Sequence, residues 1–455
     1  MFRRPAWQLL LCVAALVWVA IGVTQWLAAA PLRDDEAQYA LAAQDFLDGV
    51  PARWFYVSTG MNALAVPGVL LGGDEITLRI MPLVVGACFF ALTALLAVRA
   101  FGPMTAAWSM AILAGSRSVI QRTSELLSDL PAAGFMIGAL WILVGELARE
   151  HGPRWRIVLA APLLAAAFYL RYGSCVPIGI IGIATVLVWW RAIARRPWPV
   201  LATAGLFILL LVPHMVTATR TMGSPLGILL ASRSVPGDDI GLTTYLTTNP
   251  FSYFGLLVPI PIVAGVFSIG FARDRRAVFL WLVAIGSFVA IALLTHAQAR
   301  YVMVATTLLA LLGTDALIRL VDRYAGRYKR VIAAVAIVPI VWSWYNCIRV
   351  GVTYPRAARE RLAGTHAAAD VIRRDASGRP CEVLARRRMR LNFHSGCTAI
   401  MSVPDEAYTR GRRIYVVWSN DGAKPQPDFA DVPGVHRLLM DTPEARVIRI
   451  EGADE

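Results

Sequence analysis

The stretch Trp7-Gln8-Leu9-Leu10-Leu11-Cys12-Val13-Ala14-Ala15-Leu16-Val17-Trp18-Val19-Ala20-Ile21-Gly22-Val23-Thr24-Gln25-Trp26-Leu27-Ala28-Ala29-Ala30 carries no charged side chain. A helix needs about 20 mostly apolar residues to cross the hydrocarbon core of a bilayer, so this run reads as a membrane span. It follows Arg3 and Arg4 and ends in small residues before Pro31, as a cleavable signal peptide does; its length favours an uncleaved anchor. Ten further runs repeat the pattern: Arg79 to Ala100, Thr105 to Ile120, Asp129 to Ala148, Ile157 to Leu170, Ser174 to Trp190, Pro199 to Val216, Phe251 to Phe271, Ala277 to Thr295, Tyr301 to Ile318 and Val331 to Ile348. Met61 to Leu71 is only half a span and is broken by Pro67 and Gly68, which suits a re-entrant or interfacial segment.

Composition agrees with this reading. The 455 residues are 57% apolar and 16% charged, against about 45–50% and 25% in soluble domains. The net charge of +14 raises the possibility of a nucleic-acid partner, but the placement of the charges excludes it. With the N-terminus in the cytoplasm, one set of loops holds 17 basic and 5 acidic residues and the opposite set 9 and 11. Short cytoplasmic loops concentrate Lys and Arg. The basic balance is a topology signal, with the N-terminus inside and the C-terminal tail outside an inner (cytoplasmic) membrane.

The domain reading is a transmembrane domain over 1–350, with long outer loops 31–78 and 217–250, and a small α/β extracytoplasmic domain over 351–455. In the tail, a helix is expected from Arg356, just after Pro355, to Arg374. Strands are expected at Cys381 to Ala385, Arg413 to Trp418 and Ala445 to Ile450, the last with half-buried alternation. Cys381 and Cys397 lie on the outer side, where a disulfide is permitted. Cys12, Cys88, Cys175 and Cys347 lie in or at spans and read as packing residues. No Cys/His spacing resembles a zinc site, and no metal ligands are assigned.

The chemistry-bearing segment is Arg33-Asp34-Asp35-Glu36-Ala37-Gln38-Tyr39. Three adjacent carboxylates at a membrane surface are costly to keep ionised together, which points to a site. The structural alternative is that Asp34 or Asp35 caps a helix running to Asp48 and stopped by Gly49 and Pro51. Tyr39, Ala42, Ala43, Phe46 and Leu47 would then form its apolar stripe, laid along the interface. Asp129, after Arg117, Arg122 and Glu125, is a second outer acid, with a helix-start role as its alternative since Pro131 follows. The two acidic clusters face one compartment, where they could meet over one cavity. Oxygen ligands of this kind suit Mg²⁺ or Mn²⁺ where a metal is bound. Arg171 and Arg300, each at a span end, must find an anion or water; lipid head-group contact and a substrate phosphate are both open.

Asp35-Glu36-x-x-Tyr39, Leu78-Arg79, Phe101-Gly102-Pro103, Ser128-Asp129 and Arg300-Tyr301, in this order over roughly residues 31 to 315, resemble the GT-C superfamily of polytopic glycosyltransferases. The branch they resemble is dolichyl-phosphate-mannose protein mannosyltransferase-like and includes the lipid A aminoarabinose transferases. The resemblance implies an enzyme using a polyprenyl-phosphate sugar donor, with a protein, lipid or polysaccharide acceptor. It implies Asp35 as catalytic base, Glu36 beside it, Asp129 as a second acidic contributor, and inversion by single displacement. Arg171, Arg300 and Tyr301 are the expected donor-phosphate group, and Asp34, Tyr39 and Arg122 are further site candidates. A polytopic transporter of a lipid-linked or small polar substrate is the alternative class, although its charges would lie nearer the midplane.

Overall fold

A computed structural model describes residues 4–50, 54, 57–233, 241–247, 257–271, 274–295, 298, 300–385, 388–400, 413–419 and 435–451. Parts of the expected outer loop 217–250, the start of the span expected from Phe251, and His296, Ala297 and Ala299 beside Arg300 lie outside the described residues.

In chain order the helices begin with α1 (Arg4–Leu27), α2 (Asp34–Leu47), α3 (Gly60–Leu70), α4 (Ile80–Phe101), α5 (Pro103–Leu113) and α6 (Arg117–Ile120). They continue with α7 (Asp129–Leu147), α8 (Ala160–Leu170), α9 (Cys175–Arg195), α10 (Pro197–Met222), α11 (Gly227–Arg233) and α12 (Gly241–Thr247). The last are α13 (Pro259–Phe267), α14 (Arg275–Leu294), α15 (Met303–Tyr324), α16 (Lys329–Ala376) and α17 (Arg388–Ser395). Among the described residues, eight helical stretches are long and apolar enough to cross a membrane: Ala6–Leu27, Thr77–Phe101, Asp129–Leu147, Tyr172–Arg195, Pro197–Met222, Arg275–Leu294, Met303–Tyr324 and Gly326–Ala376. Each contains or overlaps one of the eleven expected spans. The other three expected spans are the shorter apolar helices Pro103–Leu113, Trp155–Leu170 and Pro259–Gly270, and the expected half-span is Gly60–Leu70. The chain is a multi-pass membrane protein. Leu201, Ile208 and Leu209 on α10 are more than half exposed, as side chains facing lipid should be.

The residues form two compact units, each discontinuous in sequence. The first comprises Met1–Trp26, Arg53–Leu64 and Arg79–Gly351. Small residues let its helices approach closely: a Cβ on Gly313 of α15 would lie 1.8 Å from the Pro261 carbonyl oxygen of α13. The second unit comprises Leu27–Ala52, Ala65–Leu78 and Val352–Glu455. Besides the tail read as a separate domain from residue 351, it therefore takes in two pieces of the segment expected as the first outer loop.

The tail departs from its sequence reading at Pro355. Instead of opening a new helix there, α16 runs unbroken for 48 residues. A proline ring crowds the carbonyl four residues earlier, and that residue is Gly351, which has no side chain to resist the adjustment. The sheet contains β1 (Glu382–Ala385), β2 (Thr398–Ile400), β3 (Arg413–Ser419), β4 (Val435–Asp441) and β5 (Ala445–Glu451), in the order β2-β1-β3-β5-β4. Strands β2, β1 and β3 are parallel, and β5 runs antiparallel to both β3 and β4. One face, with Val383, Tyr415, Val417 and Val447, packs on Ala368, Ala369, Ile372 and Ala376 of α16. Alternation in β5 places Arg449 on that face. It is tolerated there because Arg449 Nη1 meets both Asp375 carboxylate oxygens at 2.9 Å while the Tyr415 hydroxyl donates to Asp375 Oδ2 at 2.7 Å. Cys381 and Cys397 are disulfide-bonded, with Cα atoms 4.8 Å apart.

Candidate active site

In the second unit, α2 starts at Asp34 with Arg33 as its N-cap residue. Neither Asp34 nor Asp35 takes the capping role expected for one of them. The Arg33 backbone N–H donates to Glu36 Oε2 at 2.9 Å, the reach-back half of a capping box. Glu36 is buried, which gives the third acid of the cluster a structural task. Asp34 and Asp35 line a cavity of about 350 Å³ together with Arg33, Tyr354, Arg361 and Arg390. Arg390 Nε lies 3.4 Å from Asp34 Oδ1, and Arg33 Nη2 donates to the Tyr354 hydroxyl at 3.0 Å. Three guanidinium groups and two carboxylates around one space can hold an anionic or hydroxyl-rich ligand beside a proton acceptor.

The apolar stripe expected on α2 is only partly right. Helix α2 buries Glu36, Ala37, Gln38, Ala40, Leu41, Ala43 and Asp45, while Phe46 and Leu47 are exposed and Tyr39 is half-buried. It ends as expected, with Gly49 in the left-handed region at φ 69°.

In the first unit, Asp129 opens α7, one residue after the N-cap Ser128. Its side chain is 3% exposed and pairs with Arg171, while Arg300 Nε lies 3.8 Å from its Oδ2. Both guanidinium groups stack on one ring: Arg171 Cζ is 4.2 Å from the Tyr301 centroid and Arg300 Cζ is 5.4 Å from it. The three expected phosphate-site residues thus come together around Asp129, with one net positive charge on the group. An anion acceptor of this kind, low in solvent and rich in planar donors, suits a phosphate.

Local structure fixes these side chains. Arg171 sits in extended backbone (φ −154°, ψ 110°) where α8 ends. Ser58 Oγ donates to the Leu170 carbonyl at 2.6 Å. Gly60 lets this segment approach, since a Cβ there would lie 2.7 Å from the Tyr169 carbonyl carbon. Beside Arg300, the Tyr245 hydroxyl donates to the Gln298 carbonyl at 2.7 Å and accepts its N–H at 2.9 Å. Arg300 Nε donates to Gln298 Oε1 at 2.5 Å. Arg122 pairs with Glu125, three residues on, so its charge is met within its own segment.

Sequence reasoning missed Tyr245 and Gln298 in the first unit, and Tyr354, Arg361 and Arg390 in the second. Only Arg390 had a visible signal, as the end of the run Arg386-Arg387-Arg388-Met389-Arg390. A third grouping was also missed: Glu75, His366 and His394, far apart in sequence, come together in the second unit. The three residues are too far apart in sequence for any local Cys/His spacing to reveal this convergence.

Residues 62–216 match the family described as dolichyl-phosphate-mannose-protein mannosyltransferase. Comparison with curated protein sequences finds no match. Among solved structures, the chain is similar to ArnT from Cupriavidus metallidurans bound to undecaprenyl phosphate. The identity is 18%, 97% of each chain is covered, and the TM-score is 0.72. It is also similar to the oligosaccharyltransferase AglB from Archaeoglobus fulgidus, in complex with an inhibitory peptide and a dolichol-phosphate. There the identity is 13%, with 92% of this chain and 70% of that one covered and a TM-score of 0.58. The fold is therefore that of the GT-C class of polytopic membrane glycosyltransferases, with a small C-terminal sheet domain. Within that class the likeness is to the mannosyltransferase-like branch that includes the aminoarabinose transferases, as the sequence motifs indicated.

Proposed function

We propose that this protein transfers a sugar from a polyprenyl-phosphate donor to an acceptor hydroxyl at the outer face of the inner membrane, with inversion at the anomeric carbon. The acceptor hydroxyl belongs to a protein, lipid or polysaccharide. The supporting observation is the division of labour within the acidic cluster: Glu36 serves the α2 N-terminus while Asp34 and Asp35 line the cavity. Asp35 is the general base. Its carboxylate takes the proton of the acceptor hydroxyl as the acceptor oxygen bonds to the anomeric carbon and the bond from that carbon to the phosphate oxygen breaks. The departing lipid phosphate keeps the electron pair, and Arg171 and Arg300, oriented by Asp129 and Tyr301, offset the charge it gains. The undecaprenyl phosphate of the ArnT structure and the dolichol-phosphate of the AglB structure favour a lipid-linked phosphate as the donor class here. The loop charge asymmetry supports an N-terminus inside and a tail outside.

The test is transfer from a panel of radiolabelled polyprenyl-phosphate sugars to endogenous membrane acceptors, with wild type beside Asp35→Asn. Label transferred by wild type and lost in the variant supports the reading and identifies the sugar. A folded, inserted wild type that transfers from no donor overturns it, and the anomeric configuration of the product tests inversion.

A further inference from the structure

Three side chains with metal-ligating atoms converge in the second unit, apart from the residues that line its cavity. Glu75 belongs to the Ala65–Leu78 piece of the first outer loop, His366 to the outer half of α16, and His394 to α17. Their ligand atoms all lie within 4.8 Å of one another. Glu75 Oε1 is 3.9 Å from His394 Nε2, and the two imidazole centroids are 4.6 Å apart. The Nε2 atoms of both histidines are buried without a hydrogen-bond partner.

Leaving two ring nitrogens out of water without partners is unfavourable by about 1–3 kcal/mol each. A shared Lewis acid removes that penalty. We infer that Glu75, His366 and His394 bind one divalent cation of the zinc class. Two imidazoles and one carboxylate form a borderline ligand set, which suits Zn²⁺ or Co²⁺ and not the all-oxygen preference of Mg²⁺ or Ca²⁺. In a tetrahedral zinc site with bonds of about 2.0–2.1 Å, ligand atoms stand roughly 3.3 Å apart. The three side chains would have to rotate to close the observed triangle to that size, with water in the fourth position.

The surroundings agree. Arg373 and Arg390 are the cationic groups that face His394, and Asp370 is the acidic one. The two cationic neighbours have acceptors of their own: Arg373 Nε donates to the His394 carbonyl at 3.0 Å, and Arg390 faces Asp34. The bound cation would tie the outer-loop piece and α16 to α17. Helix α17 carries Arg390 to the cavity beside Asp34, so the metal has a positioning role and takes no part in a bond-breaking step.

The assignment stands on this geometry and does not depend on the proposed reaction. The full-length chain, purified in lipid nanodiscs without a polyhistidine tag and stripped with chelator, is titrated with Zn²⁺ alone by calorimetry and with Co²⁺ by visible absorption. One equivalent of Zn²⁺ and the intense absorption bands of four-coordinate Co²⁺ are expected. The His366→Gln/His394→Gln double variant should bind Zn²⁺ more weakly by more than the about 10–100-fold cost of losing an outer-shell partner. Absence of stoichiometric binding by wild type overturns the assignment, as does undiminished binding by the double variant. If that variant does not fold, the wild-type Co²⁺ spectrum decides, because octahedral, all-oxygen bands also overturn it.

Discussion

Arg171 is ion-paired with Asp129, a carboxylate that α7 holds almost wholly out of solvent. The sequence leaves open what anion Arg171 meets, and the fold answers that its first partner is internal. Asp129 thereby holds the two arginines, and on the proposed mechanism its substitution should act differently from loss of the Asp35 carboxylate. Asp129→Asn should raise the donor KM with a smaller change in kcat. Arg171→Lys should do the same, by about tenfold, since lysine keeps the charge and loses the planar fork and the stacking on Tyr301. Steady-state kinetics with the active donor checks both, and an Asp129→Asn enzyme with an unchanged donor KM counts against the phosphate assignment.

Asp35 and Glu36 are adjacent in sequence but hold different tasks. On the proposed mechanism Asp35→Asn removes the proton acceptor and should lower kcat by about 10²–10⁴-fold with little change in either KM. Glu36→Gln retains an acceptor for the Arg33 N–H, since glutamine also completes a capping box, and should keep most of the activity. Glu36→Ala should lower stability by about 0.5–2 kcal/mol, the scale of a lost helix cap. Comparable kcat losses in Asp35→Asn and Glu36→Gln would mean that the two carboxylates share the chemistry.

The long spans were legible because their signal is one-dimensional: 18 or more apolar residues suffice to define a crossing helix. The short helices Pro103–Leu113 and Pro259–Gly270 mark where that signal weakens. Asp129, Arg171 and Arg300 stand out in the sequence as charges at span ends, where an ionised group is costly unless it has a task, and Asp35 as one of three adjacent carboxylates. Tyr245 and Gln298 do not, because their contribution is a pair of hydrogen bonds between the Tyr245 hydroxyl and the Gln298 backbone, 53 residues apart. Strand β4 was hidden too. Its residues Val435 to Leu438 are exposed, so it lacks the clean alternation that reveals a half-buried strand.

The disulfide closes the excursion that carries Arg390 and His394. Cys381 and Cys397 directly precede the paired strands β1 and β2, and the Thr398 N–H donates to the Cys381 carbonyl at 2.9 Å. A covalent link across 16 residues restricts the unfolded chain by about 3 kcal/mol in the loop-entropy description. The Cys381→Ser/Cys397→Ser variant should therefore unfold its sheet domain at lower denaturant. Proteolysis of the tail in urea reads this directly, and reducing agent should bring the wild type to the same midpoint while leaving the variant unchanged. Equal midpoints for oxidised wild type and variant would remove any stabilising role for the bond.

The Asp375, Tyr415 and Arg449 network sets the acid limit of the same domain. Burial alone pushes the Asp375 carboxyl up, but hydrogen bonds from Tyr415 and Arg449 and the charges of Arg449 and Arg413 outweigh it and hold the pKa below its ordinary value of 3.8. A carboxyl whose folded pKa is depressed stabilises the fold above its unfolded pKa, and that contribution is lost as pH falls through the folded one. Domain stability should thus hold above about pH 5 and decline as the pH drops below about 4. Asp375→Asn abolishes the titration and leaves Arg449, only 10% exposed, without its counter-charge, which should destabilise the domain by about 1–3 kcal/mol at neutral pH. Denaturant midpoints at pH 7, 5 and 3.5 check both parts: the wild-type curve should fall toward the variant's at the acid end, and parallel curves would show that Asp375 is not the group being titrated.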